Sequence, residues 1–442
     1  MRKYKVAGVA AAVAFALTAP QSVQAVELNT DNWNGSWDTT ISAGSSWRME
    51  ERDINRIGHT NLAELEGVAL SDIDFTRGAW SNNGDDGNLN FDKGDAFSTA
   101  IKFTTEIGMQ HNNGFGFFVR GTGFYDSELQ DSPEDRVKPI SEKALEQQGE
   151  DYRLLDAYIY QTWDFEESSL QVRLGSQVIS WGESTFIQHG LSEINAVDVT
   201  KLRVPGSELK EALIPVNTFW ASYDLSDTLS LEAYAQFEWE SFRTDEQGTY
   251  FATQDFAGTT TYEGLDSFGT PITSSVIHLG FSAGIPEGTP GTVAYRIADR
   301  NARDDGQFGV KLAWLAEDWN YTEFGFYYVN YHNKRPLISA YANDPLVGTT
   351  GFFEYIEDIQ MFGLSFNTST DSGFSIAGEV TYRLDEPLQI DDVELLFATL
   401  EPVGGVPLGT SQIASGAEQG EEISGYRLFD TVQAQATITK FM

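Results

Sequence analysis

The chain has 442 residues, with 28 Lys or Arg against 66 Asp or Glu, a formal net charge of −38. So acidic a chain offers no basic stripe to neutralise phosphates, which excludes nucleic acid as a partner. It has no Cys, which rules out disulfides, and a mean hydropathy of −0.30, an average that a membrane chain with only one apolar face per strand also shows.

Arg2, Lys3 and Lys5 open the chain as a positive region, Val6 to Ala19 form a short apolar stretch, and Val23-Gln24-Ala25 offers a small-residue cleavage site. This pattern predicts a secretory signal peptide over 1–25. Its removal takes three cations from the −38, leaving a chain of −41 that starts at Val26. The apolar stretch is too short to span a bilayer as a helix, and no other run reaches the ~18 residues required.

From there the chain alternates with period two. In Gly35–Trp47, Trp37, Ile41 and Trp47 share one side. From Ala96, the residues Phe97, Thr99, Ile101, Phe103, Thr105, Ile107 and Met109 point one way, and Ser98, Lys102, Thr104, Glu106 and Gln110 the other. Side chains alternate across a strand, so one face is apolar and the other can meet water. Less regular candidates follow at 115–126 and 152–165. Leu170, Val172, Leu174 and Val178 then oppose Gln171, Arg173 and Gln177. After a candidate at 213–225, the run from Leu229 to Glu240 places Leu231, Phe237 and Trp239 opposite Glu232, Gln236 and Glu238. The short 307–315, then Phe324–Tyr328, Phe362–Phe366, Phe374–Arg383 and Tyr426–Lys440 complete about twelve strands of ~9–13 residues, long enough to cross a bilayer when tilted.

The connections sort themselves. Short polar turns fall near His111–Gly114, Glu166–Ser169, Ser226–Thr228, Ala316–Trp319 and Ser369–Gly373. Between them lie long excursions over 51–95, 127–151, 182–214, 243–305, 332–356 and 384–424. A sheet meandering across a bilayer has short turns on one side and long loops on the other, whereas a soluble sandwich has no reason to sort its connections. Residues 26–442 therefore read as one antiparallel up-and-down transmembrane β-barrel, whose even strand count leaves both termini in the periplasm. Trp163, Phe165, Tyr223, Trp319 and Tyr321 flank the short turns and Trp37 and Trp47 bracket the first strand, as an aromatic belt at the headgroups requires. The expected partners are outer-membrane lipid and lipopolysaccharide. The acidity reads first as solvated outer loops, and in a sharper version as divalent-cation bridging to lipopolysaccharide.

Four stretches stand out: LGSQVISWGESTFIQHGLSEINAVDVTKLRVPGSELKEALIPV (Leu174–Val216), DDGNLNFDKGD (Asp85–Asp95), NARDDGQFGV (Asn301–Val310) and EYIEDIQMFGLSFNT (Glu354–Thr368). In their order along the chain they resemble a family of Gram-negative outer-membrane proteins known only as domain of unknown function 1302, over nearly the whole chain from Val26. The resemblance implies an outer-membrane barrel of the kind suspected of moving hydrophobic molecules, and it assigns no site. It also implies a longer chain than this one, so a truncated product, with more strands in the complete barrel, is expected.

Isolated motifs yield to simpler readings. Ser207-Glu208-Leu209-Lys210 matches Ser-x-x-Lys, but the companion elements of penicillin-binding enzymes are absent; Ser207 is expected to cap a short loop helix after Pro205-Gly206. That helical loop can fold inward as a plug, placing Trp181, Trp220, Arg203, Glu208, Lys210 and Glu211 along the passage. Asp86, Asn88, Asn90 and Asp92 have calcium-loop spacing, yet Phe91 replaces the sixth-position Gly and the twelfth-position Glu is missing, so a turn is the favoured reading and a surface calcium site the lesser one. Asp304-Asp305-Gly306 reads as a turn. His59, His111, His189, His278 and His332 are scattered without zinc spacing.

Arg120, Arg173, Arg243 and Arg383 share strands with the inward acids Glu232, Glu238, Glu323 and Glu379, either as pairs holding the interior together or as a ladder for a polar head group. The candidate lumen or constriction set is Arg173, Trp181, Glu183, Arg203, Glu208, Lys210, Glu323, Glu379 and Arg383. No catalytic residue, metal or cofactor is expected. The reading is a channel for lipid, fatty-acid, alkane or sterol-like molecules, with Phe352, Phe353 and Tyr355 as an outer capture surface. The alternatives are a non-transporting barrel, a docking platform for a periplasmic lipid-transfer partner, and an outer-membrane hydrolase.

Overall fold

A computed structural model describes residues 25–131, 136–184, 187–278, 293–344, 347–370, 372–403, 410–413 and 416–440. The signal-peptide reading falls on residues outside these, apart from Ala25. The described chain is built on one antiparallel meander of twelve long strands: β1 Trp33–Trp47, β2 Ala96–His111, β3 Phe115–Asp126, β4 Glu150–Asp164, β5 Ser169–Gln177, β6 Val216–Ser226, β7 Leu229–Gln236, β8 Gln307–Ala316, β9 Thr322–Tyr331, β10 Ile359–Ser369, β11 Phe374–Gln389 and β12 Tyr426–Lys440. A thirteenth, two-residue strand, Val26–Glu27, lies along the free edge of β1. Every long strand pairs with its sequence neighbours, and the five connections at one end are the expected short turns.

Closure is not seen. β12 pairs only with β11, and no ladder among the described residues joins β12 to β1. Two strand ends also differ from the sequence reading. β7 stops at Gln236, because Trp239 leaves the sheet to pack edge-on against Tyr355, ring centroids 4.7 Å apart, with its indole N–H on the Asn333 carbonyl. β11 runs on to Gln389, because a register shift between Arg383 and Glu386 lets it keep its ladder with β12 beyond Leu384.

The polarity of the sheet is inverted relative to a water-soluble fold. On the outer face Ile41, Leu154, Leu174 and Ile438 are exposed to 71, 66, 52 and 67%. On the opposite face Lys102, Thr104, Thr218, Glu379 and Arg383 are buried. All seven belt aromatics are exposed on the outside. The six long connections are loops L1 (48–95), L2 (127–149), L3 (178–215), L4 (237–306), L5 (332–358) and L6 (390–425). L3 turns back over the inner face. Four of the others share a small sheet, ordered 276–278, 293–296, 348–354, 337–344 and 422–423, or pack against it. The loops also hold buried apolar clusters of their own, such as Ile57, Leu62 and Leu89 in L1.

Candidate functional site

Two features of the fold can carry function: the inner face beneath L3 and a cavity among the other long loops.

L3 is anchored at both ends of the sheet. On the β7–β11 side Trp181 is buried, its indole N–H donating to Glu232 Oε2 at 2.8 Å and its ring edge-on to Tyr234 at 4.9 Å. Leu191 and Ile194 are fully buried against Val329, Ile359 and Met361 of β9 and β10. Glu379 receives the loop backbone: its Oε2 accepts the N–H of Glu183 at 2.7 Å and its Oε1 that of Leu191 at 3.0 Å. A Cβ on Gly190 would sit 2.1 Å from Glu379 Oε1, so a side chain there would push this carboxylate off the loop backbone. Arg383, with no exposed surface, donates to the carbonyls of His189 and Gly190, the latter at 3.0 Å.

On the β1–β3 side the short helix Leu209–Ala212 delivers Glu211 to Lys102 and Thr104, all three buried. Lys210 reaches Glu106 at 2.7 Å and Glu208 at 3.0 Å, while Arg120 spans Glu106 and Asp156 at 3.0 and 2.6 Å. The helix is capped at Glu208, not at Ser207. The Ser207 hydroxyl turns back onto the carbonyls of Lys201 and Val204, and Glu208 N–H is met by Glu211 Oε2 at 3.0 Å. Ser207 and Lys210 therefore make no catalytic pair.

The nine lumen candidates thus divide. Trp181, Glu183, Glu379 and Arg383 meet at one anchor of L3, where Glu183 Oε2 accepts from Asn367 at 3.0 Å. Glu208 and Lys210 meet at the other. Arg173 pairs with no acid among the described residues; its guanidinium lies over the Trp220 ring at 4.3 Å and donates to Gln171. Glu323 is half-exposed, 3.8 Å from Lys311, which pairs more closely with Glu232 at 3.0 Å. Arg203 leaves this face for L4, where it pairs with Asp245 and covers the Phe251 ring at 4.6 Å. Arg243 also lies in L4 and bridges backbone with Asp198, and Glu238 caps Asn217 at the end of β6. Lys102, Thr104 and Lys311 complete the network. Strand parity had placed the first two inward, but nothing local showed that a loop would meet them.

The second feature is a cavity of about 520 Å³ between L1, L4, L5 and L6. Its walls are mainly apolar: Phe256 and Ile277 from L4, Ile338 and Ala340 from L5, Leu395 and Leu396 from L6, with Trp80 and Asn83 of L1 at one side. The L6 wall is the helix Asp392–Leu400, started by Asp391, whose carboxylate accepts the N–H of Val393 at 3.0 Å. Phe352, Phe353 and Tyr355 are not a capture surface. All three are buried, with Arg300 over Phe352 and Arg296 over Phe353, because the loops pack on one another there.

The calcium-loop spacing does not form a calcium loop. Asn88 Oδ1 accepts from Arg48 at 2.7 Å, Asn90 is bonded to the backbone of Gly248 and Lys138, and Asp92 pairs with Arg52 at 3.2 Å. Asp86 alone turns toward other acids, Asp85 and Asp255. His189 pairs with Glu386 and Arg335, His332 with Asp305 and His111 with Asn113, and none of these three is bonded to a serine among the described residues.

The fold and its inner network define a β-meander with a polar, loop-covered interior and an apolar exterior. The chain belongs to the family described as Protein of unknown function (DUF1302), whose model matches residues 6–442. No curated protein matches it. Similar solved structures include OprB of Pseudomonas putida at high pH, at 10% identity and a TM-score of 0.28, covering 73% of this chain and 76% of that one. OmpF of Salmonella typhi in complex with daunomycin is similar at 10% identity and 0.24, covering 81% of each chain. The copper transporter OprC is similar at 10% identity and 0.24, covering 81% of this chain and 45% of that one.

Proposed function

We propose that the protein is exported by a signal peptide over 1–25 and inserts in the outer membrane as a barrel, where it is a channel for hydrophobic or amphipathic molecules such as lipids, fatty acids, alkanes or sterols. The carrying observation is the inverted sheet. Exposed apolar side chains on the outside and buried charges inside are unfavourable in water and favourable in a bilayer around a polar interior. The loop cavity supports the substrate class: its volume and mainly apolar walls suit one lipid-like chain. Transport needs no bond chemistry, only capture in the loops and passage beside L3. Uptake of a radiolabelled fatty acid should fall on deletion of the gene and return with the wild-type chain. Unchanged uptake would refute the substrate class.

The burial of L3 favours a second reading, a lumen closed at rest, in which the barrel is structural or a docking platform for a periplasmic lipid-transfer partner. Planar bilayers separate the two. A channel conducts when the L3 anchor is loosened by Leu191→Ala, and a purely structural barrel stays silent.

A further inference from the structure

The walls of the loop cavity change character from mouth to depth. Trp80 of L1 and Val393 of the L6 helix line it and are 68 and 50% exposed. Ser81, Gln254 and Asp392 line it as well and are also exposed, so L1, L4 and L6 each contribute to the mouth. Phe256, Ala340 and Leu395 are buried and form the depth. Two of the three threonines in the buried walls are already engaged. The Thr349 hydroxyl accepts from the Asn343 side-chain amide at 3.1 Å, and the Thr399 hydroxyl donates to the Leu396 carbonyl at 2.7 Å. Polar groups open to a ligand therefore gather at the mouth, and the depth is apolar.

Trp80 is exposed but firmly held. The Ala79 N–H before it donates to the Ile57 carbonyl at 2.7 Å, and the Ala79 carbonyl accepts the His59 N–H at 2.9 Å. The Trp80 ring stacks on Phe75, with centroids 5.9 Å and planes 20° apart, and meets the His59 ring edge-on at 4.7 Å. His59 is buried at the start of the helix His59–Glu66 and packs edge-on against Phe75 as well, at 5.0 Å. Gly78, at φ +85°, turns the chain in close beside this group, and a Cβ there would lie 2.9 Å from His59 Cδ2. Rings fixed in this way present a flat apolar surface that needs no further ordering when a ligand arrives.

We propose that Trp80, backed by Phe75, is the entry platform of the loop cavity, and that a single-chain amphiphile enters it tail first. Its apolar end then lies against Phe256 and Leu395, and its polar end stays at the mouth beside Trp80, Ser81 and Gln254. This rests on the cavity being the place where substrate is held, and adds to it the first contact and the orientation of the ligand. An indole suits such a boundary, because its ring is apolar and its N–H can meet a head group or water. The reverse orientation would strip a head group of water among Phe256, Ala340 and Leu395, where hydrogen bonds would not replace what it lost.

The test uses the full mature chain folded into saturated phospholipid vesicles. Radiolabelled stearate should bind saturably, beyond what protein-free vesicles take up. Trp80→Ala should weaken that binding roughly tenfold, as losing the contact of two methylenes would. Phe268→Ala, which removes an 82% exposed ring of L4 away from the cavity walls, should leave it unchanged. Orientation is read by fluorescence, with the emission of Trp80 taken as the difference between the wild type and Trp80→Phe. Stearate brominated near its carboxylate should quench that emission more strongly than stearate brominated near its methyl end. Saturable binding with equal or reversed quenching overturns the orientation, and binding that neither quenches Trp80 nor weakens in Trp80→Ala overturns the platform. Absence of saturable binding to the wild type removes the cavity as a substrate site, and this proposal with it.

Discussion

Replacing Ile41 by Arg separates a lipid-facing sheet from a soluble one. Ile41 lies near the middle of β1, eight residues after Trp33 and six before Trp47, and opposite Phe103 of β2. Its side chain is 71% exposed and Phe103 is 40% exposed. In water so exposed a position tolerates Arg, and surface substitutions of this kind stay within about 0.5 kcal/mol. At the midplane of a bilayer Arg on the lipid face of a barrel costs about 2–4 kcal/mol. That is roughly a 30- to 700-fold change in the folding equilibrium, at 1.4 kcal/mol per factor of ten. Urea titration of protein folded into phospholipid vesicles, followed by tryptophan fluorescence, measures it. Glu166→Arg, in the exposed turn between β4 and β5, is the control and should change stability by less than about 0.5 kcal/mol. If Ile41→Arg is indistinguishable from Glu166→Arg, the outer face does not meet lipid and the membrane argument fails.

Glu211→Ala strands the buried ammonium of Lys102 and should cost about 3–5 kcal/mol by urea titration, with much of it recovered in Lys102→Met/Glu211→Leu. Leu395→Trp fills the loop cavity and should weaken displacement of a fluorescent fatty acid at least tenfold, while the melting temperature moves by only a few degrees. Loop stability should fall as pH rises. Asp85 is held up to about 6 in the folded chain from its ordinary 3.8, so its contribution is complete below about 4 and lost as pH passes 6, roughly 3 kcal/mol by calorimetry. Closure of the sheet in lipid predicts that one cysteine of a scan over 431–437 in β12 will form a disulfide with Thr39→Cys in β1. The chain has no native Cys to confuse the result, and no cross-link anywhere in the scan would mean the two edges take other partners.

The strands were legible because each carries its own signal. Alternation at Ile101, Lys102, Phe103 and Thr104 states both that a strand exists and which side faces where, and the less regular candidates at 115–126, 152–165 and 213–225 also lie on long strands. Loop asymmetry supplied the topology. The reading failed where alternation outlasts hydrogen bonding. Trp239 and Glu240 continue the pattern of β7, yet the chain has already turned to pack Trp239 against Tyr355, a contact 116 residues away. Contacts between loops leave no periodic trace. Arg203 reads as a lumen residue by its place in L3, and only the fold reveals Asp245 as its partner. The acidic cluster was hidden for the same reason. Asp86 was noticed through local spacing, but its companions are its immediate neighbour and an aspartate from another loop. Phe352 and Phe353 mark the limit of composition, since apolar residues in a long loop say nothing about whether that loop exposes them or buries them.

The described molecule holds two opposite solutions to the burial problem within one chain. In the sheet, apolar side chains point outward and charged pairs lie within, while a buried apolar cluster on the inner face joins Val329, Ile359 and Met361 of the strands to Trp181, Leu191 and Ile194 of L3. In the loop layer apolar groups are buried in the usual way: Ile57, Leu62 and Leu89 in L1, and Ala342, Leu395 and Ala398 between L5 and L6. A single environment cannot stabilise both. Water favours the loop layer and leaves the outer face of the sheet uncovered, and lipid does the reverse. The arrangement makes sense only across an interface, with strands in the bilayer and long loops in water beyond it. The apolar cavity, lined by L1, L4, L5 and L6, then belongs to the aqueous layer. On the proposed channel reading, an apolar molecule would leave water in the loops before it met the charged inner face, where L3 is held by Glu379 at one side and Lys102 at the other.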